Sequence, residues 1–244
     1  ALLLIPVSVL PLRANIYITD AYIYHMADVH RAVDSMQKGF ELGTYADLEY
    51  GYEAYQMFTG EQLGMLRGAD LSLAYTQAAD ILQKNFERYP YDARTAVYLA
   101  HVIDSAPPTI SPDETLLKEA IARAIAVSPK RPQPWYIKAN QYIHLGDNAK
   151  SASAKKEQYD AAIDILKQYV ALVPALAGPR YIIANLYLTE GDLTSAKQWA
   201  DEALPLYIQS ADSDSPARAV RYYLAVKDWN NTERFLADIV SANP

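Results

Sequence analysis

The chain has 244 residues, 51% of them hydrophobic, no Cys and a formal charge of -7, so it can bury a core and is too apolar to stay unfolded. The lack of Cys excludes a disulfide framework, a thiolate zinc site and a Cys nucleophile. Lys and Arg scattered through an acidic chain exclude the basic stripe that nucleic acid needs. Only 9 Gly in an Ala- and Leu-rich sequence predicts helix, and 20 Tyr against 4 Phe predicts half-buried faces or grooves, because a buried hydroxyl must find a partner.

Residues 1–13 open the chain with ALLLIPVSVLPL, closed by Arg13. The run is too short for the roughly 20 apolar residues of a membrane-spanning helix. Pro6 and Pro11 predict an extended apolar arm carrying Leu2, Leu3, Leu4, Ile5, Val7, Val9 and Leu10. Three roles are open to it: the outer end of a spanning helix, an arm docked in a groove of a neighbouring copy, or an arm packed on its own domain.

Residues 14–244 then repeat a helix-pair pattern. Ala32, Met36 and Gly39 fit a degenerate first unit, and Ala78, Leu82 and Pro90 end the next. Leu99 and Ala100 begin a unit that Ile121, Ala124 and Pro129 close, with a Pro-rich loop at 105–113 between them. WYIKANQYIHLGD at 135–147 leads, after an insertion of about ten residues centred around 151–157, to Ala162, Leu166, Tyr169 and Pro174. RYIIANLYLTEGD at 180–192 is followed by Ala196, Ala200 and Ala203, and a polar loop at 209–216 precedes a last unit with Tyr223, Thr232, Leu236, Ile239 and Pro244. Ser111-Pro112 and Ser215-Pro216 have the form of an N-cap followed by a first-turn Pro. The segments at 135 and 180 share Tyr-Ile-x-Ala-Asn-x-Tyr and then Gly-Asp, which resembles the tetratricopeptide (TPR) repeat. That resemblance implies an all-α, right-handed superhelical solenoid of about six helix pairs, with a concave groove lined by the first helix of each pair.

In such repeats the residue after the small Ala of the first helix faces the groove. Those positions read His101, Asn140, Asn185 and Arg221, with Tyr136 and Tyr181 one turn before the two Asn. Asn can donate to and accept from the backbone of an extended peptide, and Tyr supplies flat, partly apolar walls. Ordinary solvated polar residues are the alternative reading of the same positions. Repeated Lys or Arg that would clamp a carboxylate is absent.

The four His (His25, His30, His101 and His144) form no ligand pattern, Asp212-Ser213-Asp214 lacks the rest of a calcium loop, and no nucleophile elbow, phosphate loop or dinucleotide fingerprint occurs. No metal, cofactor or enzyme activity is therefore expected. Asn230-Asn231-Thr232 satisfies the N-glycosylation pattern at a turn between helices, and Thr109 and Ser111 are O-glycan candidates, so a covalent glycan is a further candidate partner.

The ordered string RANIYITDAY, NFERYPYDART, LAHVIDSAPP, SPKRPQPWYIKAN, WADEAL and RAVRYYLAVKDWNNTERFL is similar to the C-terminal repeat region of O-antigen ligase or polymerase-like membrane proteins of uncultivated bacteria. The catalytic residues of that family lie in membrane loops with no counterpart in this chain. Two functions are expected. The first is a non-enzymatic protein-interaction scaffold, extracellular or on the cell surface, that assembles head to tail with other copies through its N-terminal arm into a filament. The alternative is the extracytoplasmic repeat domain of a ligase-like membrane protein that binds a partner in glycan assembly.

Overall fold

The computed structural model describes residues 5–58, 66–209 and 215–242. Among the described residues there is no strand; a π-helical turn, Ile5–Val9, runs into twelve α-helices. These are α1 (Leu10–Tyr24), α2 (Val29–Phe40), α3 (Asp47–Phe58), α4 (Gly68–Arg88), α5 (Ala93–Asp104) and α6 (Glu114–Val127), then α7 (Pro132–Asp147), α8 (Ala152–Leu172), α9 (Gly178–Glu190), α10 (Leu193–Gln209), α11 (Ser215–Ala225) and α12 (Trp229–Ala242). Consecutive helices pack as six pairs, the number the repeat pattern predicts. The chain forms two compact units, Ala1–Pro129 and Lys130–Pro244, with three pairs in each.

Local chemistry sets the helix boundaries. Asp28, Asp92, Asp113 and Ser151 each accept a backbone amide of the following first turn, with N···O distances of 2.9–3.2 Å. Pro90, Pro129 and Pro174 follow α4, α6 and α8 within two residues, where the missing amide prevents continuation. At the end of α9, Gly191 takes the left-handed conformation at φ 85°. Pro205 differs: it lies inside α10, which continues to Gln209.

Small residues sit where helices meet, as their spacing predicts: Ala32, Ala78, Ala100, Ala124, Ala162, Ala184, Ala196 and Ala200 are all buried. Around them the first unit packs Met36, Tyr50, Phe58, Ile81, Leu82 and Leu99, and the second packs Tyr159, Ile163, Leu166, Tyr169, Tyr181 and Phe235.

Four features correct or extend the sequence reading. First, the stretch expected to be an extended arm is helical from Ile5 onward. Pro11 is the second residue of α1, at its junction with the π-helical turn, and its fixed φ near -65° is compatible with a helix; Leu2, Leu3 and Leu4 lie outside the described residues. Second, the insertion around 151–157 forms the first turns of α8, which Ser151 caps. Third, Ser111-Pro112 does not cap α6, because Asp113 does so through the amides of Thr115 and Leu116. Fourth, Asn230 is not in a turn but in the opening turn of α12, and the Thr232 hydroxyl donates to the Asp228 carbonyl at 2.7 Å. Asp212 to Asp214 lie outside the described residues.

The Tyr residues divide: ten of the 20 are half-buried, as the composition predicts, and others form the core. Tyr50, Tyr159, Tyr169 and Tyr181 are fully buried core residues. Three of their hydroxyls reach partners outside their own helix: Tyr50 donates to Ala14 O at 2.5 Å, Tyr169 to Lys130 O at 3.1 Å, and Tyr159 to the Asp147 carboxylate. Each of the three therefore fills apolar volume as Phe would and also anchors a second helix or loop.

Candidate interaction faces

In the first unit, α3 and α5 bring together a row of half-buried rings that the sequence reading named only at its last member, His101. Tyr55 stacks on Tyr98 with ring centroids 4.1 Å apart and planes 10° apart; Tyr52 lies 6.0 Å from Tyr98. The Tyr55 hydroxyl is 3.1 Å from His101 Nδ1, and the two rings meet edge-on. The Arg94 guanidinium approaches the face of Tyr52 at 6.0 Å.

In the second unit the predicted groove positions divide. Tyr136 is half-buried, edge-on to Tyr169 and covered by the Arg218 guanidinium 4.4 Å from its centroid. Asn140 and Arg221 are exposed, as a groove position requires. Tyr181 is fully buried among Tyr223 and Phe235 and cannot line a groove; burial pushes its hydroxyl well above the usual tyrosine range. Asn185 is buried as well, its amide donating to Tyr181 O at 2.7 Å and Arg218 O at 3.0 Å, which ties α9 to α11. The offset shared by Asn140 and Asn185 does not give them one role, because α11 packs over α9 at this position and takes the Asn185 side chain for itself.

Asn185→Ala is therefore expected to lower the stability of the second unit by about 1–3 kcal/mol through loss of the buried bond that ties α9 to α11, and Asn140→Ala to leave stability within about 0.5 kcal/mol. Thermal denaturation of the two variants checks this; equal midpoints would contradict the assignment.

Behind this face, Lys156 joins Asp160 at 2.9 Å and lies 3.7 Å from Glu190. Burial raises the Glu190 carboxyl, with Lys156 opposing, and burial together with the bond to Asp147 pushes the Tyr159 hydroxyl up to about 12. Among the described residues no group of acidic and His side chains could hold a metal ion, and no helix is long and apolar enough to cross a membrane.

Two further faces carry exposed apolar side chains. On α1, Ala14 and Ala21 are buried, while Leu12, Ile16 and Ile23 on the opposite side are 63%, 59% and 61% exposed. With Thr19 they occupy positions i, i+4, i+7 and i+11, one helical face, and Ile5 and Val9 are exposed just before them. On α12, Trp229, Leu236 and Val240 are 62%, 46% and 70% exposed and follow the same spacing, with Glu233 in the second place. Together with Leu224 of α11 they border an apolar groove of about 740 Å³. Val7 and Leu10, the remaining arm positions, do not extend the stripe: the Val7 side chain lies outside the described set and Leu10 is half-buried.

Among the described residues, twelve helices in six pairs, with small residues at their crossings, define an all-α repeat fold of the TPR type. The fold is shared with the crystal structure of TTC0263, a thermophilic TPR protein of Thermus thermophilus, at a TM-score of 0.55 and 16% identity over 81% of this chain and 90% of that one. The crystal structure of MamA protein is similar at a TM-score of 0.51 and 16% identity, over 82% and 94%. No protein-family model and no curated protein sequence matches the chain.

Proposed function

We propose that this chain is a non-enzymatic TPR scaffold that acts by protein contact and assembles head to tail with copies of itself, the α1 stripe of one copy seated in the α11/α12 groove of the next. The observation that carries the reading is the pair of matching apolar faces: Leu12, Ile16 and Ile23 on α1, and Trp229, Leu236 and Val240 around a groove at α12. Contiguous exposed apolar side chains in helical register mark contact surfaces, because leaving them in water costs about 25 cal/mol per Å². The two faces lie on different elements, so contact between copies is heterologous and propagates unless it closes into a ring.

The TPR fold supports peptide-type partners in general, and in the second unit an extended segment would find the exposed Asn140 and Arg221. The expected location is extracellular or at the cell surface. Covalent glycan at Asn230, Thr109 or Ser111 is compatible with the exposure of all three.

The test is electron microscopy and sedimentation of the protein beside an Ile16→Asp/Ile23→Asp variant. Polymers are expected from the first and monomers from the second. Monomers in both samples at high concentration would refute the reading.

A second reading, the extracytoplasmic repeat region of an O-antigen ligase-like membrane protein, is supported by the helical continuity of Ile5–Val9 with α1, as an apolar segment entering the first repeat from a membrane would have. Spanning segments upstream in the native gene product would favour it.

A further inference from the structure

We propose that Tyr55 and Tyr98 form an oxidative coupling site, at which a diffusible one-electron oxidant joins the two rings as dityrosine and links α3 covalently to α5. The inference does not depend on how copies assemble. It rests on three observations.

The first is ring geometry. Two phenoxyl radicals couple when their rings approach face to face, so that a carbon ortho to one oxygen meets its counterpart. Tyr55 and Tyr98 are stacked at 4.1 Å with planes 10° apart. The other close tyrosine pairs are tilted or edge-on: Tyr52 and Tyr98 at 37°, Tyr136 and Tyr169 at 86°, Tyr181 and Tyr223 at 69°, and Tyr222 and Tyr223 at 80°.

The second is the proton path. Oxidising a phenol at neutral pH requires its proton to leave with the electron. The Tyr55 hydroxyl lies 3.1 Å from His101 Nδ1, and with the imidazole hydrogen on Nε2 that nitrogen accepts the phenolic proton.

The third is access. Tyr55 and Tyr98 are both half-buried, so a small oxidant reaches them while their neighbours hold them in place; Tyr181 and Tyr50, by contrast, are fully enclosed.

The step balances as follows. Each phenol gives one electron to the oxidant and one proton to a base, that base being His101 for Tyr55 and water for Tyr98. The radicals pair to form a carbon–carbon bond between ortho positions. The two ortho C–H bonds then break as hydrogen returns to the oxygens, and both rings regain aromaticity. The product has lost two hydrogens overall. In a chain without Cys, this supplies the covalent tie between successive helix pairs that a disulfide cannot.

The test uses the intact protein at low concentration, illuminated briefly with tris-bipyridyl ruthenium(II) and persulfate, which together generate the one-electron oxidant. Dityrosine fluorescence and peptide mass spectrometry then locate the link. The expected result is a Tyr55–Tyr98 peptide pair two hydrogens lighter than the sum of its parts. Tyr98→Phe and Tyr55→Phe should each lower the dityrosine yield about tenfold or more, since the stacked pair reacts as one pre-oriented unit. Tyr91→Phe, which removes a tyrosine that is 87% exposed, should leave the yield unchanged. His101→Gln should slow coupling severalfold without moving the link. Undiminished dityrosine in Tyr98→Phe, or a link mapped to Tyr52, Tyr45 or Tyr91, would overturn the proposal.

Discussion

Phe235→Ala is expected to destabilise the second unit by about 3–5 kcal/mol, the range for removing a large aromatic side chain from a packed interior. Phe235 is fully buried on α12. Its ring is stacked on Tyr223 of α11 at 5.5 Å and 12°, and it meets Tyr181 of α9 and Tyr207 of α10 edge-on at 6.0 and 4.6 Å. One side chain thus touches all the other helices of the last two pairs, and truncation leaves a cavity that three other rings can fill only by abandoning their own contacts. Tyr207 adds a bond from its hydroxyl to Asp238 at 2.9 Å, which holds α12 against α10. Denaturant unfolding followed with amide hydrogen exchange measures the effect and should confine it to residues after 130. Because α12 also carries the apolar groove, assembly should be lost in the same variant. A loss under about 1 kcal/mol would mean that the aromatic cluster does not hold the last pair together.

Gly39→Ala is expected to cost the first unit about 2–4 kcal/mol, although Ala favours an α-helix over Gly by about 1 kcal/mol. A methyl group on Gly39 would collide with the Tyr50 hydroxyl oxygen and come within 2.5 Å of its ring, so the ring must move. Moving it breaks the 2.5 Å bond from Tyr50 to Ala14 O, which joins α3 to α1. The glycine is there for close approach and not for an unusual backbone, since α2 is regular through it. A raised unfolding midpoint, the usual outcome of Gly→Ala at an exposed helical site, would show that Tyr50 does not occupy this space.

The six helix pairs were legible because a crossing between stacked helices demands small residues, and Ala32, Ala78, Ala124, Ala162 and Ala200 supply one on the second helix of each of the first five pairs. The Pro residues after α4, α6 and α8 marked their ends for an equally local reason. What could not be read was whatever depends on a partner distant in sequence. Asn140 and Asn185 are equivalent by offset, yet only Asn185 has Arg218 O above it. The abundance of Tyr pointed to the ten half-buried ones, but not to the core role of Tyr50 and Tyr169, whose hydroxyl acceptors at Ala14 and Lys130 belong to other elements. Tyr52, Tyr55 and Tyr98 lie in a repeat with a weak motif, and the trace of their row in the sequence is a spacing of three on both α3 (52, 55) and α5 (98, 101). The apolar opening, expected to be extended, is helical, since the φ near -65° that Pro imposes is as compatible with helix as with an extended chain.

Mixing two singly blocked variants tests the head-to-tail account most directly. Ile16→Asp/Ile23→Asp disables the α1 face and keeps the α12 groove; Trp229→Asp/Val240→Asp does the reverse. Each alone should sediment as a monomer, because a buried unpaired carboxylate costs several kcal/mol. Mixed in equal amounts, they should form a one-to-one dimer that grows no further, since it retains one intact face of each kind at its centre and a blocked face at either end. Polymers from either variant alone, or monomers in the mixture when the unmodified protein polymerises, would contradict the pairing of α1 with the α11/α12 groove.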